Sequence, residues 1–266
     1  MKIAFIGGGN MGEAILAAVL DKGLSTPQAI SVSDIDEARR DYLKNRFSVA
    51  VMDNNRLAAE NSDVVVLAIK PQSLVGVMAE LSGQLKPTQL VLSIIAGARI
   101  ETLHRGLDHS SIVRAMPNTP AQIGEGISVW TATAQVTVEQ KEWAGSILGA
   151  MGREIYVGDE KYIDMATAVS GSGPAYFFLF MESLIDAAVK IGLPHDVAHR
   201  LVLHTMLGSG YLIQRLDKEP AELRRMVTSP GGTTAEALLQ LEKGGFSGLL
   251  MQAVMAAYNK AKRLGS

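Results

Sequence analysis

Strand-forming runs fill the first 157 residues of this chain and then stop, and that asymmetry restricts the possible folds more than any other feature. Up to that point short β-rich runs alternate with amphipathic helical stretches: KIAFIG and then 11–22, AISVSD and then 35–45, DVVVLAI and then 72–81. Such alternation means βαβ units and a parallel sheet. Further runs follow at 90–95 (LVLSII), 111–116 (SIVRAM), 126–130 (GISVW) and 153–157 (REIYV), with a helical stretch at 138–151. Beyond Gly158 only helical periodicity remains, at 174–191, 195–216, 233–243 and 246–264. The expectation is an α/β domain over 1–157 joined directly to an all-helical domain over 158–266.

The first turn carries a motif. Gly7, Gly9 and Gly12 form G-x-G-x-x-G directly after a strand and directly before a helix, the context in which the motif binds a dinucleotide. The first glycine permits the tight turn, the second lets a pyrophosphate approach the backbone, and the third lets helix and strand pack. An ordinary glycine-rich turn lacks that placement, so the N-terminal half reads as a Rossmann-type domain. Its second strand ends at Ser33-Asp34, where Asp34 could accept from a ribose 2′-hydroxyl and repel a 2′-phosphate, favouring NADH. Ser33 and Arg39 could instead serve NADPH. Loops at the carboxyl ends of later strands, Ala68, Ile69, Lys70 and Pro71, then 94–97 with Ala96 and Gly97, face the same crevice.

Charge and composition narrow the partner. The 25 basic and 27 acidic residues form no long like-charge block, which speaks against a nucleic-acid or polybasic membrane surface and for a small molecule. With no cysteine, thiolate chemistry and disulfides are excluded, and a reducing cytoplasm suits the chain. Glycines interrupt the opening apolar run, which reads as a strand and turn and not as a signal peptide. His195 and His199 stand four apart on a helix, the spacing of a metal pair, but no cysteine or acidic motif accompanies them, so no metal is expected.

In the second half, residues 174–191 are apolar around most of the first turns (Ala175, Tyr176, Phe177, Phe178, Leu179, Phe180, Met181), which one small helical domain cannot cover. A second subunit is the expected cover. Further on, TSPGGTTAEAL at 228–238 reads as a Pro-Gly-Gly turn and a helix capped by Thr233, with Glu236 completing a capping box. By itself this is an ordinary helix start. It also leaves free amides at the positive end of a helix dipole, beside the Thr234 hydroxyl, where a small carboxylate could bind.

These residues together resemble the pyrroline-5-carboxylate reductase family over essentially the whole length. The resemblance rests on IGGGNMG at 6–12, AIKPQ at 68–72, IIAG at 94–97, RAMPNTPAQIGEG at 114–126, SGSGPAYFF at 170–178 and VTSPGGTT at 227–234. It implies a Rossmann domain followed by a helical dimerisation domain, assembled as a homodimer or a ring of dimers. It also implies that one subunit's coenzyme domain meets its partner's helical domain at the active site. Ile6, Gly7, Gly9, Asn10, Met11 and Gly12 would then hold the pyrophosphate side of NADH or NADPH, with Ser33 and Asn55 near the adenosine. The 68–71 and 94–97 loops would line the nicotinamide, with Met116, Pro117 and Asn118 beside them. Ser172, Ser229, Gly231, Gly232 and Thr233 would bind the substrate, and Thr234 would contact its ring nitrogen. A β-hydroxyacid dehydrogenase shares the layout but needs a lysine early on the first long helix, where this chain has aromatics and only Lys190 near the far end. A non-catalytic NAD(P)-sensing dimer is the other alternative.

Overall fold

The computed structural model describes residues 1–265. Eight strands appear: β1 (Ile3–Ile6), β2 (Ile30–Ser33), β3 (Ala50–Met52), β4 (Val64–Leu67), β5 (Leu90–Ser93), β6 (Ile112–Met116), β7 (Gly126–Ala132) and β8 (Gly152–Tyr156). They build one sheet in the order β3-β2-β1-β4-β5-β6-β7-β8. Every neighbouring pair is parallel except β6 with β7, which the run-by-run reading as a parallel sheet did not anticipate. The helices between them are α1 (Asn10–Asp21), α2 (Glu37–Phe47), α3 (Asn55–Ala59), α4 (Leu74–Leu81), α5 (Ile100–Leu107) and α6 (Val138–Ala150).

Period-two alternation sends side chains to both faces of this sheet, and both faces are covered. Ile3, Phe5, Val64 and Val66 pack against Ile15, Leu16 and Val19 of α1, Leu43 of α2 and Ile147 and Leu148 of α6. Ile6, Val65, Leu67 and Val91 pack on the opposite side against Ala58 of α3, Val77 and Leu81 of α4 and Leu103 and Leu107 of α5. Each fully buried aliphatic side chain here contributes about 1.5–3 kcal/mol. His104 lies in the last turn of α5. Its imidazole Nδ1 bonds the His109 carbonyl at 2.8 Å, closing the helix end.

Next come α7 (Lys161–Ala166), a π turn (Thr167–Gly171), α8 (Gly173–Lys190), α9 (His195–Leu216), α10 (Pro220–Met226), α11 (Thr233–Lys243) and α12 (Phe246–Leu264). By compactness the chain divides into one unit of Met1–Pro174 with the chain from Ala256 on, and another of Ala175–Met255. By this measure α7 and the π turn cluster with the first unit, and Arg114 holds them there. Its guanidinium, buried in β6, bonds Glu160 Oε1 at 2.7 Å and Asp164 Oδ1 at 2.6 Å, while Ile163 packs on Met116 and Val129. Deleting one side of such a buried pair costs about 3–5 kcal/mol, so α7 is held to the sheet although no strand-like residue marks it. The unit 175–255 is helical throughout. On α8, Phe177, Phe178 and Leu179 are each more than 60% exposed, a continuous apolar face.

Candidate active site

The strand order reverses between β1 and β4, and ligands of open α/β sheets bind at the carboxyl ends of strands beside such a reversal. Backbone bonds gather four loops there. The Gly7 amide donates to the Ser33 carbonyl at 2.8 Å, Ala68 to Ile6 at 2.9 Å and Ile94 to Leu67 at 3.1 Å. The loops after β1, β2, β4 and β5 thus lie along one rim.

The three glycines each meet a distinct demand. Gly7 sits at φ +97°, and a β-carbon there would come within 2.7 Å of the Ala68 carbonyl oxygen. On Gly12 a β-carbon would stand 2.5 Å from the Gly7 carbonyl oxygen, so helix and turn touch backbone to backbone. Around Gly9 there is open space, with no atom within 4 Å of the corresponding position. Gly9 also caps α1, whose first intrahelical bond runs from Glu13 to Gly9 at 2.8 Å. The amides of Asn10, Met11 and Gly12 precede it at the positive helix end. This is the cradle a pyrophosphate requires, and the residues present fit a dinucleotide.

At the end of β2 the Asp34 carboxylate is already engaged. It accepts from the Gly8 amide at 2.7 Å and from the Asp36 amide at 3.0 Å, so it braces the glycine turn. Arg39 Nε donates to the Gly8 carbonyl at 2.5 Å, and its terminal nitrogen pairs with Glu13. Ser33 is buried. Asn55 opens α3, and its side-chain amide donates to Glu80 at 2.6 Å. Lys70 is exposed, heading the turn Pro71–Ser73.

Ser172 follows the π turn, where its amide reaches back five residues to Thr167 at 2.8 Å. Such turns concentrate at functional positions. Met116 lies against Gly171, 3.6 Å from where a β-carbon would be.

The SPGGTT segment belongs to the unit 175–255 and departs from the expected cap. Gly232, and not Thr233, is the N-cap of α11, and no side chain caps the helix. The cause is the turn: the Gly232 amide is tied to the Ser229 carbonyl at 3.1 Å, which keeps Gly232 extended and brings Thr233 into the helix. Gly231 takes φ +70°, open to glycine without cost. A β-carbon on Gly232 would lie 2.5 Å from Ser229 Oγ. The shift of one residue leaves the amides of Thr233, Thr234 and Ala235 ahead of the first intrahelical bond, which runs from Glu236 to Gly232 at 3.3 Å. Ser172 and the coenzyme-side residues thus belong to one compact unit, and Ser229, Gly231, Gly232, Thr233 and Thr234 to the other.

Comparison with known proteins agrees with both halves. The family described as pyrroline-5-carboxylate reductase dimerisation matches residues 160–264, and that described as NADP oxidoreductase, coenzyme F420-dependent, matches residues 2–97. The chain is 42% identical over 265 residues to the pyrroline-5-carboxylate reductase of Synechocystis sp., covering 100% of this chain and 98% of that relative. Among solved structures, the pyrroline-5-carboxylate reductase of Coxiella burnetii aligns with a TM-score of 0.91 at 40% identity, over 100% of this chain and 98% of that one. The NADP-bound pyrroline carboxylate reductase of Plasmodium falciparum also gives 0.91, at 33% identity and the same coverage. Its glycine cradle at the sheet's switch point, its SPGGTT helix start and its full-length similarity at this level show that the chain belongs to the pyrroline-5-carboxylate reductase family.

Proposed function

We propose that the protein reduces L-1-pyrroline-5-carboxylate to L-proline with NADH or NADPH, the last step of proline synthesis. The observation that carries this reading is the start of α11. Three consecutive amides there precede the helix's own bonding, and Thr234, half-buried, stands at the second helical position. That arrangement suits a small carboxylate with a hydrogen-bonding ring nitrogen beside it.

The reduced nicotinamide supplies the hydride that C5 of the cyclic imine accepts. A protonated imine is already electrophilic, so the chain's task is alignment and not strong acid–base chemistry. The amides of Thr233, Thr234 and Ala235 hold the carboxylate, with the Gly231–Gly232 turn shaping their approach and the Ser229 and Ser172 hydroxyls as further donors. Thr234 accepts from the ring N–H and fixes the plane of the imine. The 68–71 and 94–97 loops orient the coenzyme. The absence of any lysine on α8 before Lys190 supports an imine substrate over a carbonyl, which needs a proton donor.

The assembly we propose is a homodimer, or a ring of dimers, in which each coenzyme domain is completed by the partner's helical segment. The exposed aromatic face of α8 supports it, since about 0.025 kcal/mol is recovered per Å² of apolar surface covered. No helix among the described residues is long and apolar enough to cross a membrane, and the cytoplasm is the compartment we propose.

The test is oxidation of NADH and NADPH with pyrroline-5-carboxylate, with a 2-keto acid as control. Turnover of the imine alone is expected. Turnover of the keto acid alone would overturn the reading.

A further inference from the structure

The segment matched by the dimerisation family runs from residue 160 to 264, and both of its ends rest on one short loop of the coenzyme domain. At the first end, Glu160 Oε1 accepts from the Ile100 amide at 2.8 Å, pinning the loop where it enters α5. The same oxygen accepts from Arg114 at 2.7 Å, and that guanidinium is 1% exposed, so the carboxylate has a fixed, buried anchor. At the other end, Leu264 lies against Gly97. A β-carbon on Gly97 would be 2.5 Å from Leu264 Cβ and 2.8 Å from its carbonyl oxygen. Gly265 continues the contact, 2.9 Å from the Gly97 carbonyl oxygen by the same measure.

We propose that Glu160 and Leu264 are positioning residues, a two-sided clamp through which the dimerisation segment sets the loop 94–99 against the nicotinamide. This rests on the reading that the loop lines the coenzyme. The loop's own bonds are few: Ile94 to the Leu67 carbonyl, the Ile95 amide to Ser93 Oγ at 3.4 Å, and a single turn from Ala98 to Ile95 at 3.2 Å. Ile95 and Ala98 anchor the loop in the core beside Leu67 and Leu103, while the contacts at Gly97 and at the Ile100 amide come from the dimerisation segment. Asp164 provides the comparison, since it shares the Arg114 guanidinium at 2.6 Å but makes no bond to the loop.

The experiment uses the full-length enzyme with Glu160→Ala, Glu160→Gln, Asp164→Asn and a chain ending at Arg263. Coenzyme Kd is read by NADH fluorescence, alongside kcat, KM and Tm. We expect Glu160→Ala and the shortened chain to raise Kd at least fivefold and lower kcat. Glu160→Gln, which keeps an acceptor for Ile100, stays within twofold, and Asp164→Asn lowers Tm with Kd unchanged. If Glu160→Ala does not fold, the shortened chain is judged by the same criterion. Wild-type Kd and kcat in the clamp variants would overturn the proposal, as would an equal effect of Asp164→Asn. A wild-type enzyme that binds coenzyme but fails to reduce pyrroline-5-carboxylate would refute the functional reading instead, while Kd still reports on the clamp.

Discussion

Gly12 and Gly7 meet backbone to backbone: a β-carbon on Gly12 would stand 2.5 Å from the Gly7 carbonyl oxygen, in the turn that faces the coenzyme crevice. Neither partner can give way cheaply, because the atom struck is main chain. Overpacking of this kind costs roughly 1–3 kcal/mol, and here the displaced group is the cradle itself. Gly12→Ala should therefore raise coenzyme Kd tenfold or more in a fluorescence titration. Wild-type affinity in that variant would mean that the turn does not hold the pyrophosphate.

Asp34 carries two duties that can be separated. Its carboxylate braces the Gly8 and Asp36 amides, and in the proposed coenzyme site its charge would oppose a 2′-phosphate. The wild type is expected to favour NADH in kcat/KM. Asp34→Ser should shift the NADPH-to-NADH ratio upward about tenfold, equivalent to about 1.4 kcal/mol. An unchanged ratio with both coenzymes weakened alike would confine Asp34 to bracing the turn.

Thr234→Ala removes the hydroxyl assigned to the ring nitrogen and leaves the α11 amides in place. Losing one oriented hydrogen bond in the transition state should lower kcat/KM about tenfold or more. Coenzyme Kd should not move. Unchanged kinetics would refute the assignment.

His109 predicts a pH dependence of stability. Burial lowers its pKa from the ordinary 6.5, partly offset by the Gln89 carbonyl, with a small further lowering from His104. Because that carbonyl can only accept, Nε2 carries a proton at 2.8 Å, and burial favours the neutral ring. Below pH 6.5 the unfolded chain binds a proton that the folded one resists, so this contribution is complete above 6.5 and is lost as pH falls through the lower folded pKa. Urea midpoints at pH 5 and 7.5 should differ more in the wild type than in His109→Gln. Equal differences would show that His109 plays no part.

Periodicity alone located much of this molecule. The apolar spacing marks 195–216, 233–243 and 246–264 to the residue, because long amphipathic helices repeat their signal over several turns. The eight residues of α5 offer too few turns for that, so no helix was expected there, and Leu103 and Leu107 secure it against the sheet. The glycines of the coenzyme turn were legible for a related reason: their demands are local, set by a strand, a turn and a helix adjacent in sequence. Glu160 was not. Its partners, Arg114 and the Ile100 amide, lie 46 and 60 residues away, and nothing near it in the chain announces them.

By itself, the sequence determined the α/β half, the helical half, the nucleotide turn and the family, since each rests on neighbouring residues whose chemistry is fixed by short-range geometry. Only the tertiary structure decided that Gly232 caps α11 in place of Thr233, that Asp34 spends its carboxylate on the glycine turn, and that α7 belongs with the sheet. The Gly232 cap follows from the turn bond to Ser229, while the other two outcomes depend on which distant donors and acceptors the fold brings together, because a buried charge or amide left unpaired is costly.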